Sequence, residues 1–347
     1  MEFLPHPGNG AAVTSLAARP WRMLFLLYWL WSASALAAAQ CVPAVPAAAP
    51  VPAAARGEVS IATQNLMRLF DDIDDGGAEV LPSPRYRLRL DKLARQVGEV
   101  LRFPHVLAVQ EAENQKVLAE LAHRLAQGGA GPRYQVALLE GHDRGGIDVG
   151  FLVRADWKIL KVEQLLARTR LDRRFLFDRP PLLLRLQTPQ GPLDLVNVHL
   201  KSLRGSDRRA EAKRIARKRQ RQAEALAGWV RARRPAGAGQ AAPPLVVLGD
   251  FNAAPEVLGG VDVLGILQSA GLRSLHSRLP AGARWTYVYK CRGQALDHVL
   301  VSPELLPAVR RFAVSRGNAG VAWRHEREAG TPLRSADHDA VVLYLGP

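Results

Sequence analysis

Short apolar runs of β-strand character recur along residues 57–347 and alternate with only a few longer amphipathic stretches, and this pattern constrains the fold most. Several runs are apolar throughout, which is typical of strands in sheets that are covered by other elements. Many strands with few helices fit two packed sheets with helices outside better than one parallel sheet. We therefore predict a single α/β domain in which two packed sheets are flanked by helices.

The same pattern gives the expected elements. The predicted strands are 59–66, 105–110, 134–140, 148–154, 180–187, 193–199, 245–249, 285–289, 296–301, 309–315 and 340–345. The predicted helices are 86–102, 113–127, 206–233 and 261–270. Polar residues cluster where several of these strands end, and functional residues often collect at such positions.

Residues 1–40 have the pattern of an export signal. Arg19 and Arg22 precede an apolar run that starts at Met23 and ends in small residues, so cleavage after Ala37 or Ala39 is expected. The run is about 17 residues long, near the lower limit of a membrane span, and an uncleaved N-terminal anchor is the alternative. The prediction is an exported protein, periplasmic or extracellular, that contacts a membrane only through this segment if it stays uncleaved.

Residues 41–56 form a Pro/Ala-rich linker that is expected to be extended and disordered. The chain has two cysteines, Cys41 and Cys291, which is too few for a disulfide framework. In an exported protein they can form one bridge between the linker and the domain, and free thiols are the equal alternative. Their spacing does not resemble a zinc site.

The net charge of +15 attracts polyanions, although an arginine-rich composition alone also produces it. Part of this charge lies in residues 204–234, which predict a long helix with one apolar stripe and an opposite face that includes Arg217 and Arg219. A solvated outer face is the favoured interpretation. Binding to a phosphate backbone is the alternative if this face borders the active site.

The run LVVLGDFNAAPE (245–256) carries the first candidate site residues. Asp250 and Asn252 follow a buried strand, and alternation along an extended chain places both on one side. A carboxylate and an amide there can orient a water molecule and bind a phosphate oxygen. The structural alternative is an Asp/Asn turn after a strand.

Two other strands end in comparable residues. HVLAVQE (105–111) ends in Glu111, a carboxylate at the mouth of a buried strand that suits Mg²⁺, and IATQNL (61–66) contributes Asn65. Histidines at strand boundaries occur in three places, as His199, His298 and His338, each near an acid or amide. Three such histidines favour chemistry over a purely structural role.

Seven motifs occur in the order QNL, QE, GIDVGFLVR, NVHLKS, GDFN, LDHVLVS and SADH. On these motifs the chain resembles the endonuclease/exonuclease/phosphatase family, which includes pancreatic-type deoxyribonucleases, abasic-site endonucleases, bacterial sphingomyelinases and inositol polyphosphate phosphatases. The resemblance covers nearly all of residues 57–347 and is nearest to predicted extracellular bacterial nucleases. It implies a deoxyribonuclease-like four-layer α/β sandwich, with two packed, mainly antiparallel β-sheets flanked by helices.

The resemblance also implies the metal site and the residues that act on the water. Glu111 matches the principal metal ligand, supported by Asn65 and Asp337. Mg²⁺ is the expected ion, with Mn²⁺ or Ca²⁺ as alternatives. Asp250 and Asn252 match the residues that orient the nucleophilic water and the scissile phosphate.

The remaining implied roles concern two histidines and their partners. His338 matches the catalytic histidine and Asp297 the acid that orients it, whereas His298 is expected to be structural. His199 stands at the position of a second catalytic histidine. Arg179 resembles a phosphate-contacting arginine.

Together these residues predict a metal-dependent phosphodiesterase, an exported nuclease in which a His/Asp-activated water attacks nucleic-acid phosphodiesters in line. One alternative is a phosphoesterase of the same fold that acts on a lipid, as a sphingomyelinase does, or on a phosphomonoester. The sequence shows no aromatic hairpin of the kind that a lipid enzyme inserts. A more remote alternative is a catalytically inactive nucleic-acid-binding module. No protein partner is implied.

Overall fold

The computed structural model describes residues 41–42, 45–74, 76, 79–127, 131–233 and 242–347. The export signal predicted for residues 1–40 lies outside these ranges. The strands are β1 (Val59–Leu69), β2 (Val106–Ala112), β3 (Tyr134–Leu138), β4 (Asp148–Arg154), β5 (Lys158–Gln164), β6 (Arg170–Leu171), β7 (Arg174–Phe175), β8 (Leu182–Thr188), β9 (Gly191–His199), β10 (Leu245–Asp250), β11 (Arg273–Ser274), β12 (Tyr287–Tyr289), β13 (Arg292–Gln294), β14 (Asp297–Val301), β15 (Val309–Val314) and β16 (Val341–Leu345).

The α-helices are α1 (Ser83–Arg95), α2 (Gln115–Ala126), α3 (Arg209–Ala232) and α4 (Val263–Ser269), and a wider π-helical turn, Gln96–Val100, follows α1. Short 3₁₀ turns lie at Leu258–Gly260, His276–Arg278, Ala281–Ala283, Pro303–Ala308 and Trp323–Arg327. In the described ranges no helix is long and apolar enough to cross a membrane. The four predicted helices, 86–102, 113–127, 206–233 and 261–270, correspond to α1 with its π-helical turn, α2, α3 and α4, so each is confirmed with its ends shifted.

Two six-stranded sheets form the centre of the domain. The first has the order β15-β16-β1-β2-β4-β3 and the second the order β11-β14-β10-β9-β8-β5. Neighbouring strands are antiparallel except for one central pair in each sheet, β1 with β2 and β9 with β10. The short hairpins β6–β7 and β12–β13 lie outside the two sheets. The hairpin β12–β13 carries the exposed aromatic side chain of Tyr289, which differs from the sequence prediction that no aromatic hairpin is present.

Side chains from alternate positions of the strands build three apolar layers. Ile61 packs with residues of both sheets in the middle layer, whereas the next residue, Ala62, packs in the layer that contains α1 and α2. The third layer joins the second sheet to α3 and α4 through residues such as Val247 and Leu226. The order helices, sheet, sheet, helices confirms the predicted four-layer sandwich.

Strand β5 is absent from the sequence prediction. It is an edge strand that pairs with β8, and its side chains are exposed or half-buried. An edge strand of this kind lacks the continuous apolar run by which the central strands were predicted.

The described residues of the segment 41–56 pack on the domain, which differs from the disordered linker expected from their composition. Val51 is buried and its N–H donates to the carbonyl of Val100 at 2.9 Å. The carbonyl of Pro52 accepts from the Tyr344 hydroxyl, and Cys41 forms a disulfide with Cys291. Small apolar residues and free carbonyls allow this segment to bind along the domain even though it has no amphipathic pattern.

Helix α3 also differs from the sequence prediction in one respect. Arg217 is exposed and pairs with Asp172, as a solvated basic face requires. Arg219, in contrast, is 1% exposed, and its Nη1 donates to the carbonyl of Lys201 at 2.6 Å. Assigning Arg219 to the exposed basic face was therefore wrong, because this side chain turns inward and donates to the half-buried carbonyl of Lys201, two residues after β9.

Candidate active site

Polar side chains meet at the carboxyl ends of the two central parallel strand pairs. In the first sheet Asn65 lies beside Gln110, and in the second His199 lies beside Asp250. The two strands of a parallel pair end at the same edge of their sheet. The two sheets pack face to face, and their polar ends come together at one edge of the sandwich.

The Asn65 amide joins the two sheets at this edge. Its Nδ2 donates to Glu111 Oε1 and to Asp250 Oδ2, each at 3.1 Å. His199 Nε2 lies 3.8 Å from Glu111 Oε1 and 3.6 Å from Asp250 Oδ2. Four of the residues predicted for the site thus surround one point.

Local backbone features hold the two carboxylates in place. Glu111 has φ of 63°, and the pairing of β2 with β4 is irregular between Gln110 and Ala112. A bulge of this kind redirects a side chain, and the positive φ is strain retained at a functional position. At Gly249, φ is 135° and an added Cβ would lie 2.1 Å from the carbonyl oxygen of Val198, so only glycine fits directly before Asp250.

A second group at the same edge is a buried His–Asp pair. His338 Nδ1 lies 2.7 Å from Asp297 Oδ2, and the Thr286 hydroxyl donates to the same oxygen at 2.6 Å. The Gln64 amide donates to the carbonyl of His338 at 2.8 Å. The ring is therefore held in one orientation with Nδ1 facing the carboxylate.

The pKa values of the two histidines are shifted in opposite directions. Burial lowers the pKa of His338, but Asp297, Asp250 and Asp337 outweigh it, and the net pKa is raised well above the ordinary value. Burial, followed by the positive charge of Arg179, lowers the pKa of His199 well below it. One imidazole is thus kept protonated and the other neutral, a separation typical of acid–base sites.

The pKa of the Asp250 carboxyl is raised, which favours its neutral form. Burial raises its pKa to about 7, more than the positive charge of His338 lowers it. A carboxyl with a pKa near the operating pH is suited to accept a proton from water.

Sequence reasoning missed the polar residues that support the site from between the sheets. Gln110 Nε2 donates to Thr63 Oγ1 at 3.0 Å and to Asn197 Oδ1 at 2.7 Å. Asn197 Nδ2 in turn donates to the carbonyls of Val109 and Gly150, each at 2.8 Å. Gln110 and Asn197 were visible at strand ends, but their link across the two sheets depends on tertiary packing.

The other predicted residues lie around this centre. The geometry alone assigns no catalytic role to Asn252. Its Nδ2 donates to the carbonyl of Leu200 at 3.1 Å, and its backbone N–H donates to Asp250 Oδ1 at 2.8 Å. Arg179 pairs with Asp143 and lies close enough to lower the pKa of His199.

Two residues beside the histidine pair differ in their surroundings. The carboxylate of Asp337 is half-buried and has no hydrogen bond or ion pair with the described residues, although its charge acts on His338. His298 turns away from the site, and its Nε2 contacts the carbonyls of Ala253 at 2.7 Å and Ala295 at 2.8 Å. This geometry agrees with the structural role expected for His298.

A family model described as the endonuclease/exonuclease/phosphatase family matches residues 60–321. The chain belongs to this family. The prediction of an enzyme that hydrolyses phosphoric ester bonds agrees with this membership, and the family resemblance drawn from the seven motifs is confirmed. The comparison with curated proteins gave no match.

Solved structures with the same fold come from several endonuclease/exonuclease/phosphatase family proteins. A humanized TDP2 from D. rerio has a TM-score of 0.56 and 17% identity, with 84% of this chain and 100% of that chain covered. A 3'-5' exonuclease from Neisseria meningitidis has a TM-score of 0.54 and 18% identity, with 83% and 100% covered. An AP endonuclease from Archaeoglobus fulgidus has a TM-score of 0.53 and 16% identity, with 83% and 100% covered. These likenesses confirm the predicted fold.

The donor groups of this family site fit a divalent cation in two ways. Asp250, Asp297 and His338 each offer a ligand atom, and these atoms lie within 4.8 Å of one another. In that group, however, His338 Nδ1 already bonds to Asp297. Glu111 and Asp250 instead face one another across a neutral amide, with a neutral His199 beside them. The two carboxylates supply the oxygen donors that Mg²⁺ prefers, and their burial makes a compensating cation favourable. The Asn65 amide turns its Nδ2 toward both carboxylates, and its Oδ1 accepts from the N–H of Met67 at 2.8 Å.

Proposed function

We propose that this protein is an exported, Mg²⁺-dependent nuclease that hydrolyses phosphodiester bonds of nucleic acid. The observation that carries the proposal is the meeting of Glu111 and Asp250 across the Asn65 amide, beside the His338–Asp297 pair. A phosphodiester repels an anionic nucleophile, so its hydrolysis needs positive charge at the phosphate and a group that accepts the proton of water. This edge of the sandwich supplies both.

The residues divide the work according to their charge states. His338 is held protonated by Asp297 and provides a fixed positive donor for a phosphate oxygen. Asp250, with a pKa of about 7, accepts the proton of the attacking water, and Asn252 positions that water. The neutral His199 orients the phosphate. Most of the rate enhancement comes from positioning and electrostatic stabilisation.

Glu111 would hold Mg²⁺, supported by Asn65 and Asp337, and Asp250 would act on the water. The ion supplies Lewis-acid stabilisation of the phosphate when bound. Arg179 would contact a phosphate oxygen if substrate displaces its pairing with Asp143.

Two observations support a nucleic-acid substrate. The net charge of +15 attracts a polyanion. The fold is shared with a D. rerio TDP2 that was solved in complex with a single-strand DNA product, at a TM-score of 0.56 and 16% identity.

Export is supported by the N-terminal pattern and by the Cys41–Cys291 disulfide, because disulfides persist in oxidising compartments. N-terminal sequencing of the mature protein should give a start near Ala38 or Gln40. An intact Met1 in a membrane fraction would support the anchored alternative.

The decisive experiment incubates the purified protein with plasmid DNA, RNA, sphingomyelin and a small phosphodiester, with Mg²⁺ and with EDTA. Nucleic-acid cleavage that EDTA abolishes and Mg²⁺ restores is expected, and the His338→Ala variant serves as the inactive control. Cleavage of sphingomyelin without cleavage of nucleic acid would select the lipid alternative. Nucleic-acid binding without turnover would select the inactive module.

A further inference from the structure

Two aromatic side chains remain exposed on segments that lead to the His338–Asp297 pair. Trp323 is 63% exposed and Tyr289 is 52% exposed, the largest values among large hydrophobic side chains in the part of the chain that the structure describes. Exposed aromatic rings near a functional site commonly mark a binding surface.

Tyr289 lies on strand β12, which begins beside the catalytic histidine. The ring of Tyr287 lies 4.7 Å from the ring of His338, centre to centre. Residues two apart along a strand share a face and are separated by about 7 Å. Tyr289 therefore lies on the same face of β12 as Tyr287, one step farther from His338.

Trp323 is connected to the same histidine through Arg334. The guanidinium carbon of Arg334 lies 3.8 Å from the centre of the Trp323 ring. Arg334 precedes His338 by four positions, a length of chain that spans at most about 14 Å. Arg334 is itself buried, with Nη1 donating to the carbonyl of Asn318 at 3.1 Å. Trp323 is thus fixed near the site and is not a free side chain.

Both segments are held in place by the rest of the domain. Lys92 Nζ lies within 3.0 Å of four backbone carbonyls between His325 and Leu333. In the turn after Tyr289, Lys290 and Cys291 have φ of 45° and 71°, values that neither residue type favours. The disulfide to Cys41 ties this turn to the N-terminal segment. The two aromatic positions are therefore preorganised.

We propose that Tyr289 and Trp323 stack on unpaired bases of the substrate, so that the enzyme acts preferentially on single-stranded or frayed nucleic acid. This inference rests on the proposed nuclease function and names its substrate class. Bases stack on aromatic rings whatever their sequence, and neighbouring cations add to the attraction. Bases paired within a duplex keep their faces covered and cannot use such rings.

The cations beside the rings favour this occupant over a lipid bilayer. Arg334 covers one face of Trp323, and Lys290 Nζ lies 5.4 Å from the centre of the Tyr289 ring. Inserting either ring into hydrocarbon would carry a charged group toward the apolar core, which is costly. A base can stack on the face of the Trp323 ring that Arg334 leaves uncovered.

The test compares three substrates of the full protein: an oligonucleotide of about ten nucleotides, the matching duplex, and a small phosphodiester without bases. Tyr289→Ala and Trp323→Ala should each raise KM for the single strand about tenfold, with kcat for the small diester unchanged. Trp323→Phe should recover most of the loss. Leu160→Ala, which removes another exposed apolar side chain from the edge strand β5, is the matched control and should behave as wild type.

The outcomes separate the two proposals. Unchanged KM for the single strand in both alanine variants, while wild type cleaves nucleic acid, would overturn the stacking inference and leave the nuclease standing. An equal loss on the small diester would also overturn it, because the rings would then act on the chemistry. Wild type that cleaves only sphingomyelin would refute the nuclease function itself. Loss of sphingomyelin-vesicle binding in the alanine variants would assign the rings to a membrane.

Discussion

Replacing Asp297 by asparagine tests whether the buried carboxylate acts on catalysis only through His338. Asp297 is fully buried, and its Oδ2 contacts both His338 Nδ1 at 2.7 Å and the Thr286 hydroxyl at 2.6 Å. Asparagine keeps the shape but removes the charge that raises the pKa of the imidazole. The variant should therefore fold normally and lose part of the support for the protonated ring.

The size of the effect follows from the interaction that is lost. A hydrogen bond to a charged group is worth about 1.5–3 kcal/mol, which corresponds to a fall in kcat of about 10- to 150-fold. His338→Ala removes the ring itself and should cost about 10²–10⁴-fold. The double variant should be no worse than His338→Ala, because without the ring Asp297 has nothing to orient.

The assay is single-turnover cleavage of a labelled oligonucleotide at saturating Mg²⁺, with circular dichroism as the check on folding. The Mg²⁺ concentration for half-maximal activity should be the same in wild type and Asp297→Asn. A double variant much slower than His338→Ala, or a large increase in the Mg²⁺ requirement of Asp297→Asn, would refute this reasoning. Asp297 would then belong to the metal site with Asp250, as the 4.8 Å grouping of their ligand atoms with His338 allows.

Three further predictions concern the residues that support the site and the stability of the fold. Gly249→Ala should abolish activity or soluble expression, because its Cβ would lie 2.1 Å from the Val198 carbonyl oxygen; near-normal kcat would contradict the stated constraint. Arg219→Met should lower kcat about tenfold and leave the salt dependence of KM unchanged, since its guanidinium supports the strand end beyond the second histidine and does not face solvent; a salt-dependent rise in KM would show a role in binding. Burial lowers the pKa of His105 from 6.5 to about 4, and its Nδ1 accepts from the N–H of Ser60. The contribution of His105 to stability should be complete above about pH 6.5 and disappear as the pH falls toward 4, since the unfolded chain binds the proton more readily. Urea unfolding should show a smaller acid loss for His105→Gln than for wild type, and equal losses would contradict it.

The elements of the core could be predicted from the sequence because buried strands and helices have recognisable patterns of apolar residues. The run at 245–249 is apolar throughout and forms the central strand β10, and the amphipathic stretch at 113–127 forms α2. Asn114 caps α2 by accepting from the N–H of Val117 at 3.0 Å, a contact within four residues of chain that was not predicted. Strand β5 has no such apolar run, because an edge strand keeps most of its surface in water.

The sequence predicted which residues belong to the candidate site, but not how they contact one another. Glu111 and Asp250 stood out because each ends an apolar run, and the family motifs added Asp297 and His338. That the Asn65 amide bridges the two carboxylates depends on the packing of one sheet against the other. A strand-end pattern contains no information about which sheet its partner belongs to.

By itself, the sequence determined that this chain forms a two-sheet α/β domain with carboxylates and histidines at its strand ends, since periodicity and burial act over a few residues. Tertiary structure alone decided the fate of residues whose environment is set by distant parts of the chain. Arg219 is buried and donates to a carbonyl 18 residues away, and the Pro/Ala segment is ordered through contacts with residues such as Val100 and Cys291. Neither composition nor helical periodicity could show this, because a charged or apolar side chain takes its partner from whatever the fold places beside it.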